Sequence, residues 1–203
     1  MSITSTEAAT GAAVIGPNAI TRMAQALTSE CGGTQCREIF AAAGLARHLT
    51  EPPTRMVPEI DVARLHRVAV ERLGELQAAL VSRLAGRLTG DYLLSNRIPR
   101  LAQRVLKMLP RSLASRILAA AIERHAWTFV GSGAFSYDHA TGFRLRIAGS
   151  PVCKELHTRE PACSYFAATF ERVFGEIIGD ELRVHEVECE ATGGKACVFE
   201  LRW

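Results

Sequence analysis

Residues 163–203 read CSYFAATFERVFGEIIGDELRVHEVECEATGGKACVFELRW, and the change of period inside this stretch decides the fold class. Phe166, Phe170, Val173, Phe174 and Ile177 recur at helical spacing, which predicts a helix over residues 161–178 with one apolar stripe. Two strand-like runs follow, 182–190 and 196–203, joined by Ala191-Thr-Gly-Gly194-Lys, a turn-rich link that predicts an antiparallel hairpin. Cys197, Phe199, Leu201 and Trp203 fall on one face of the second strand. Immediately upstream, Phe143, Leu145 and Ile147 alternate with Arg144 and Arg146, as a strand with one wet face requires. Ala140-Thr-Gly142 offers the turn before it, and Gly131 and Gly133 punctuate the switch of period after Trp127. The helical stripe is expected to pack on the resulting sheet.

Upstream of Trp127 the pattern is helical. Helices are expected around 18–27 and 38–49, separated by Cys31-Gly-Gly and ended by Glu51-Pro-Pro. Leu65, Ala69, Leu73, Leu76, Leu80, Leu84 and Leu88 make a stripe that reads as one long helix with Asp61 as N-cap. A further helix over 101–109 stops at Pro110, and Ser112 is expected to cap another that runs to about His125. Helices followed by antiparallel hairpins around one helix define an α+β fold, an antiparallel sheet with flanking helices and a mostly helical N-terminal half. We expect residues 1–16 to be flexible and 17–203 to form a single domain, helical over 17–126 and α/β, with the metal-binding pattern, over 127–203.

Charge is nearly balanced, with 24 basic and 21 acidic residues among 203, so the broad basic footprint of a nucleic-acid binder is missing. The first twenty residues lack the basic flank and apolar core of an export signal, and no run approaches the ~20 apolar residues of a membrane span. A cytoplasmic protein is expected, with at most peripheral contact with a membrane. Its six cysteines are then read as reduced thiols, small buried groups or metal ligands.

Spacing separates the cysteines. Cys189 and Cys197 lie four residues either side of Gly193, so a hairpin closing there sets them opposite one another. Cys163 is expected in the first helical turn, where the helix dipole favours thiolate, the form that zinc binds. Cys153, after the preceding strand, completes a four-sulfur set. The same residues also fit ordinary buried cysteines, or a cross-strand disulfide between Cys189 and Cys197. Cys31 and Cys36 are read as structural.

The stretch from Cys163 to Phe199 resembles the four-vinyl-reductase domain, found also in the sensor regions of aromatic-responsive bacterial activators. In those sensors three cysteines matching Cys163, Cys189 and Cys197 bind zinc with a fourth ligand. The sensors' fourth carboxylate has no match near Gly142, and Cys153 is the substitute. AGLARHLTEPPTRMVPEIDVARLH (43–66) and AIERHAWTFVGSGAF (121–135) resemble the bacteriochlorophyll 4-vinyl reductase (BchJ-type) subgroup, so the likeness covers most of the chain after Pro17. It implies a role in bacteriochlorophyll synthesis, a magnesium tetrapyrrole of the protochlorophyllide or chlorophyllide type as ligand, structural zinc, and a fold related to Bet3-type subunits and haem nitric-oxide sensors.

The family name implies reduction of the 8-vinyl group (position 4 in older numbering), which needs an electron source. Gly131-Ser-Gly133 gives only GxGxxS ahead of a strand, the wrong context for a pyrophosphate cradle, and there is no P-loop. The preferred reading is therefore a carrier that delivers the pigment to pathway enzymes such as magnesium chelatase or the methyltransferase. A vinyl reductase with an external donor is the alternative, and a small-molecule sensor the third. For the pigment site, His125 beside Trp127 comes first and His66 second, each otherwise an ordinary hydrogen-bonding histidine. Arg144 and Arg146 would meet a carboxylate edge unless simply solvated, and Phe166 and Phe170 would line an apolar cleft unless they are core. Related domains dimerise, and the Leu65 to Leu88 stripe suits a second copy as well as a core.

Overall fold

A computed structural model of the chain describes residues 13–140 and 142–203. In chain order the elements are β1 (Val14–Ile15), α1 (Asn18–Ala42), α2 (Arg47–Thr50), β2 (Val57–Pro58), α3 (Glu59–Leu73), α4 (Glu75–Asn96), α5 (Arg100–Lys107), α6 (Arg111–Arg124), β3 (Ala134–Asp138), β4 (Phe143–Ala148), α7 (Ser164–Ile178), β5 (Arg183–Glu188) and β6 (Cys197–Arg202). Four strands form one antiparallel sheet in the order β3-β4-β6-β5, and β1 pairs with β2 in a small second ladder. The α+β reading, with a helical first half and antiparallel hairpins in the second, is what the chain adopts.

α7 sits between the sheet and α4 because its two faces differ. Phe166, Phe170 and Phe174 turn toward the strands, where Phe170 meets Phe199 at 5.4 Å between ring centroids and Phe174 meets Phe143 at 6.0 Å. On the other side, Tyr165 shares a 2.8 Å hydrogen bond with Thr89, and the Thr169 hydroxyl donates to the Gly86 carbonyl at 3.1 Å. The α4 and α7 backbones touch at this point: a Cβ on Gly86 would lie 2.2 Å from the Tyr165 carbonyl oxygen. α5 and α6 pack against the far part of α7, using Leu106 from one and Ala114, Leu118 and Ala119 from the other.

Several boundaries differ from the sequence reading. Structure begins before Pro17, since Val14 and Ile15 pair with Pro58 and Val57 and Ile15 is buried; residues 1–12 of the expected flexible terminus lie outside the described residues. The long helix expected from Asp61 is two helices broken at Gly74, whose φ of 77° and ψ of 162° leave helical space. The break rotates the second half of the stripe, so Leu76 and Leu80 face solvent while Leu65 and Ala69 are core. Prolines, rather than the expected polar caps, begin the helices: Pro58 precedes Glu59 and Pro110 precedes Arg111, leaving Asp61 and Ser112 inside first turns. α1 runs on to Ala42 across a break at Gly32, and the second expected helix survives only as α2 beyond Gly44.

Candidate metal centre and adjoining cleft

Four cysteines from four segments converge under the sheet. Cys153 sits in the turn after β4, Cys163 immediately before α7, Cys189 at the end of β5 and Cys197 at the start of β6. The register of β5 against β6 sets Glu188 opposite Val198, so the next pair inward is Cys189 and Cys197. Gly193 turns the chain between them in the left-handed conformation, φ 92° and ψ 6°. Sulfur–sulfur separations are 3.1 Å (Cys153–Cys163), 3.2 Å (Cys163–Cys197), 3.6 Å (Cys153–Cys197), 3.7 Å (Cys153–Cys189) and 4.0 Å (Cys189–Cys197). All four residues are buried and all are free thiols, as are Cys31 and Cys36. A tetrahedron with metal–sulfur bonds of about 2.3 Å has edges of about 3.8 Å, so the set has the donor chemistry and size of a closed four-thiolate site. Cys36 instead lies in the N-terminal helical core, where its thiol approaches the Ala24 carbonyl at 3.6 Å.

Electrostatics favours a cation here. Burial first, then the neighbouring sulfurs, push the Cys163 thiol well up, and Cys197 rises beside Cys153. Cys189 shifts the opposite way, because Cys153, Cys163 and Cys197 can all donate to its sulfur. Four thiols in contact in a buried pocket thus share their protons rather than ionise together, and a bound dication would reverse that balance. The Ala162 N–H also points at the Cys189 sulfur, at 3.3 Å.

Two carboxylates that the sequence reading did not single out brace the centre. Glu190 accepts the Gly149 and Ser150 N–H groups at 2.6 and 2.7 Å, which fixes the turn that presents Cys153. Glu186 accepts the Cys163 N–H at 2.8 Å, while its other oxygen is buried without a partner. Desolvation, then the charge of Cys189, raises its pKa to about 9. A carboxylate therefore does reach the cluster, from β5 rather than from near Gly142. The available signal was its position three residues before Cys189. Cys163 precedes the first turn of α7 instead of lying in it, so its N–H is held by this carboxylate.

Beside the centre lies a cleft of about 230 Å³ between the α3–α4 junction and residues 156–162. His66, Val70, Ala79 and Ser82 form one wall, Leu156, Pro161 and Ala162 the other, and Leu76 and Glu75 lie at its helical edge. The second wall is the segment strung between Cys153 and Cys163, so the sulfur cluster holds both of its ends. His66 is buried against Tyr165, with ring centroids 5.9 Å apart. Its Nδ1 lies 3.4 Å from the Ser82 hydroxyl and its Nε2 has no partner, and desolvation lowers its pKa to about 4.

The remaining pigment-site candidates are not gathered there. His125 is exposed at the end of α6 with Nδ1 2.8 Å from the Ala121 carbonyl oxygen, and Trp127 is 63% exposed. Arg144 pairs with Glu200 at 3.5 Å on the outer face of the sheet, and Arg146 is exposed on the same side. Phe166 and Phe170 stack at 6.3 Å within the core between α7 and the sheet. Gly131-Ser-Gly133 is a bend held by Glu59, which accepts the Ser132 N–H at 2.9 Å and the Ser132 hydroxyl at 3.0 Å.

This α+β framework is shared with haem proteins. It superposes with a TM-score of 0.54 at 13% identity, over 93% of this chain and 95% of the other, on a structure from work on heme distortion in the H-NOX family. A second, from work on modulating heme redox potential through porphyrin distortion, gives 0.52 at 12% identity with the same coverage. At such identities the likeness concerns the fold alone. Residues 143–203, which carry all four cysteines, match the four-vinyl-reductase domain. The chain is 41% identical over 187 residues to the bacteriochlorophyll synthase 23 kDa chain of Cereibacter sphaeroides, covering 92% of this chain and 89% of that one. Identity to the protein of the same name from Rhodobacter capsulatus is 37% over 187 residues, covering 92% and 86%. The chain belongs to this BchJ-type family of bacteriochlorophyll synthase 23 kDa chains.

Proposed function

We propose that this protein serves bacteriochlorophyll biosynthesis by binding a magnesium tetrapyrrole of the protochlorophyllide or chlorophyllide type and carrying it to pathway enzymes, with zinc held by Cys153, Cys163, Cys189 and Cys197. The name of the relatives supports the pathway. The observation that carries the binding reading is the cleft itself, an apolar slot whose outer wall is anchored at both ends by the cysteine cluster. Zinc bound to the four sulfurs would supply a structural crosslink, because four thiolates leave it no open position for catalysis.

The cleft is smaller than the roughly 300–1,000 Å³ of sites that enclose a ligand. It receives one edge of a flat macrocycle, and the exposed Leu76 and Leu80 extend the apolar surface beyond the rim. A pigment held by its edge keeps its remaining face open for transfer to an enzyme, for which magnesium chelatase and the methyltransferase are candidates. His66 sits at the base of the slot as a neutral imidazole.

The test is an anaerobic titration of metal-analysed protein with divinyl-protochlorophyllide, followed by absorbance with and without NADPH and repeated with Ala79→Trp, which fills the slot. A band shift in the wild type that is lost in the variant, with the pigment unchanged, is the expected result. Conversion to the ethyl product by the pure protein would overturn the carrier reading in favour of a reductase. An identical band shift in Ala79→Trp would remove the slot from the site.

A further inference from the structure

The segment from Arg97 to Arg124 concentrates charge: seven basic residues and one acidic, in a chain whose net charge is +3, so the remainder is net negative. It folds as the α5–α6 hairpin at one end of the molecule. Leu106, Ala114, Leu118 and Ala119 turn inward, and the opposite faces carry apolar side chains in water. Leu101, Val105 and Met108 follow one another at helical spacing and are 71%, 51% and 85% exposed; Leu113 and Ile117, each 44% exposed, continue the stripe on α6. Arg100, Arg104, Arg116 and Arg124 flank this stripe, exposed, and make no ion pair among the described residues. Lys107 and Arg111 are instead tied back to Glu176 and Glu181.

From this pairing of exposed apolar residues with unpaired cations we propose that the α5–α6 hairpin docks the protein on an anionic lipid surface. The two components suit the two zones of a bilayer interface. Leucine, valine and methionine side chains enter the acyl boundary while flanking arginines meet phosphate oxygens, the arrangement of interfacial amphipathic helices. A protein partner of ordinary composition would meet the same apolar stripe but would need an acidic rim to match the arginines. No described helix is long and apolar enough to cross a membrane, so the contact is peripheral. The inference is independent of whether the cleft holds a pigment.

Co-sedimentation of the full chain with phosphatidylglycerol-containing vesicles and with pure phosphatidylcholine vesicles tests it. Two double variants are compared, Leu101→Glu/Met108→Glu and Arg100→Glu/Arg104→Glu, with circular dichroism and metal content as folding controls. The wild type should bind only the anionic vesicles, less tightly as salt rises, and each variant should lose about tenfold or more in affinity. Absence of binding to anionic vesicles, or equal binding by folded variants, would overturn the proposal. So would a wild-type dimer that the Leu101→Glu/Met108→Glu pair converts to monomer while vesicle binding persists, since the face would then belong to a second copy.

Discussion

Replacing Cys189 by serine should cost the protein its metal and a large part of its thermal stability together. The serine oxygen is a poor substitute for a thiolate in a soft-donor set, and three sulfurs remain where the closed site needs four. The mechanical consequence follows from the chain separations that the sulfurs bridge: 10 residues between Cys153 and Cys163, 36 between Cys153 and Cys189, and 44 between Cys153 and Cys197. Treated as one crosslink closing a loop of the longest span, the centre restricts the unfolded chain by about 4 kcal/mol. For a chain of this size about 1 kcal/mol moves Tm by roughly 2–4 °C, so a fall of roughly 8–16 °C is expected. Metal per chain by mass spectrometry and Tm by calorimetry should fall together in Cys189→Ser and Cys197→Ser. Cys31→Ser, outside the centre, should change neither. Retention of one metal per chain with an unchanged Tm in both ligand variants would refute the site.

Other expectations rest on separate features. Folding stability should fall as pH drops from about 6.5 to about 4, because burial depresses His66 and the unfolded chain therefore binds its proton first. The loss approaches about 3 kcal/mol below the folded pKa, and a urea-melt pH series should be flatter over that window in His66→Phe; a parallel curve would exonerate His66. Gly86→Ala should destabilise by about 1–3 kcal/mol in the same assay, since its methyl would collide with the Tyr165 carbonyl and force α4 and α7 apart. Glu190→Ala should weaken metal binding by about 10- to 100-fold, because two N–H groups of the turn bearing Cys153 lose their acceptor; unchanged affinity in a competition titration with a chelator would show that the turn holds itself.

The amino-acid sequence by itself determined the parts of this protein that depend on near neighbours. The stripe from Phe166 to Ile177 and the alternation from Phe143 to Ile147 are repeats of one element, so the helix and strand they encode were legible before any packing was known. The pairing of Cys189 with Cys197 was legible for the same reason, since a turn at Gly193 fixes their register. Only the tertiary structure decided what lies around those elements. Glycine at 74 is permitted inside a helix as well as at a break, and it took the packing of α3 and α4 on different neighbours to select the break and turn Leu76 outward. The convergence of Cys153 and Cys163 with the hairpin depends on carboxylates, Glu190 and Glu186, that brace turns from 40 and 23 residues away. The cleft has no local signature, since its walls are joined only through the fold, and His125, His66 and Arg144 look alike as candidates until burial separates them. Periodicity records which face of an element is buried, whereas a site is made by which buried faces meet, and that is settled by chain closure over tens of residues.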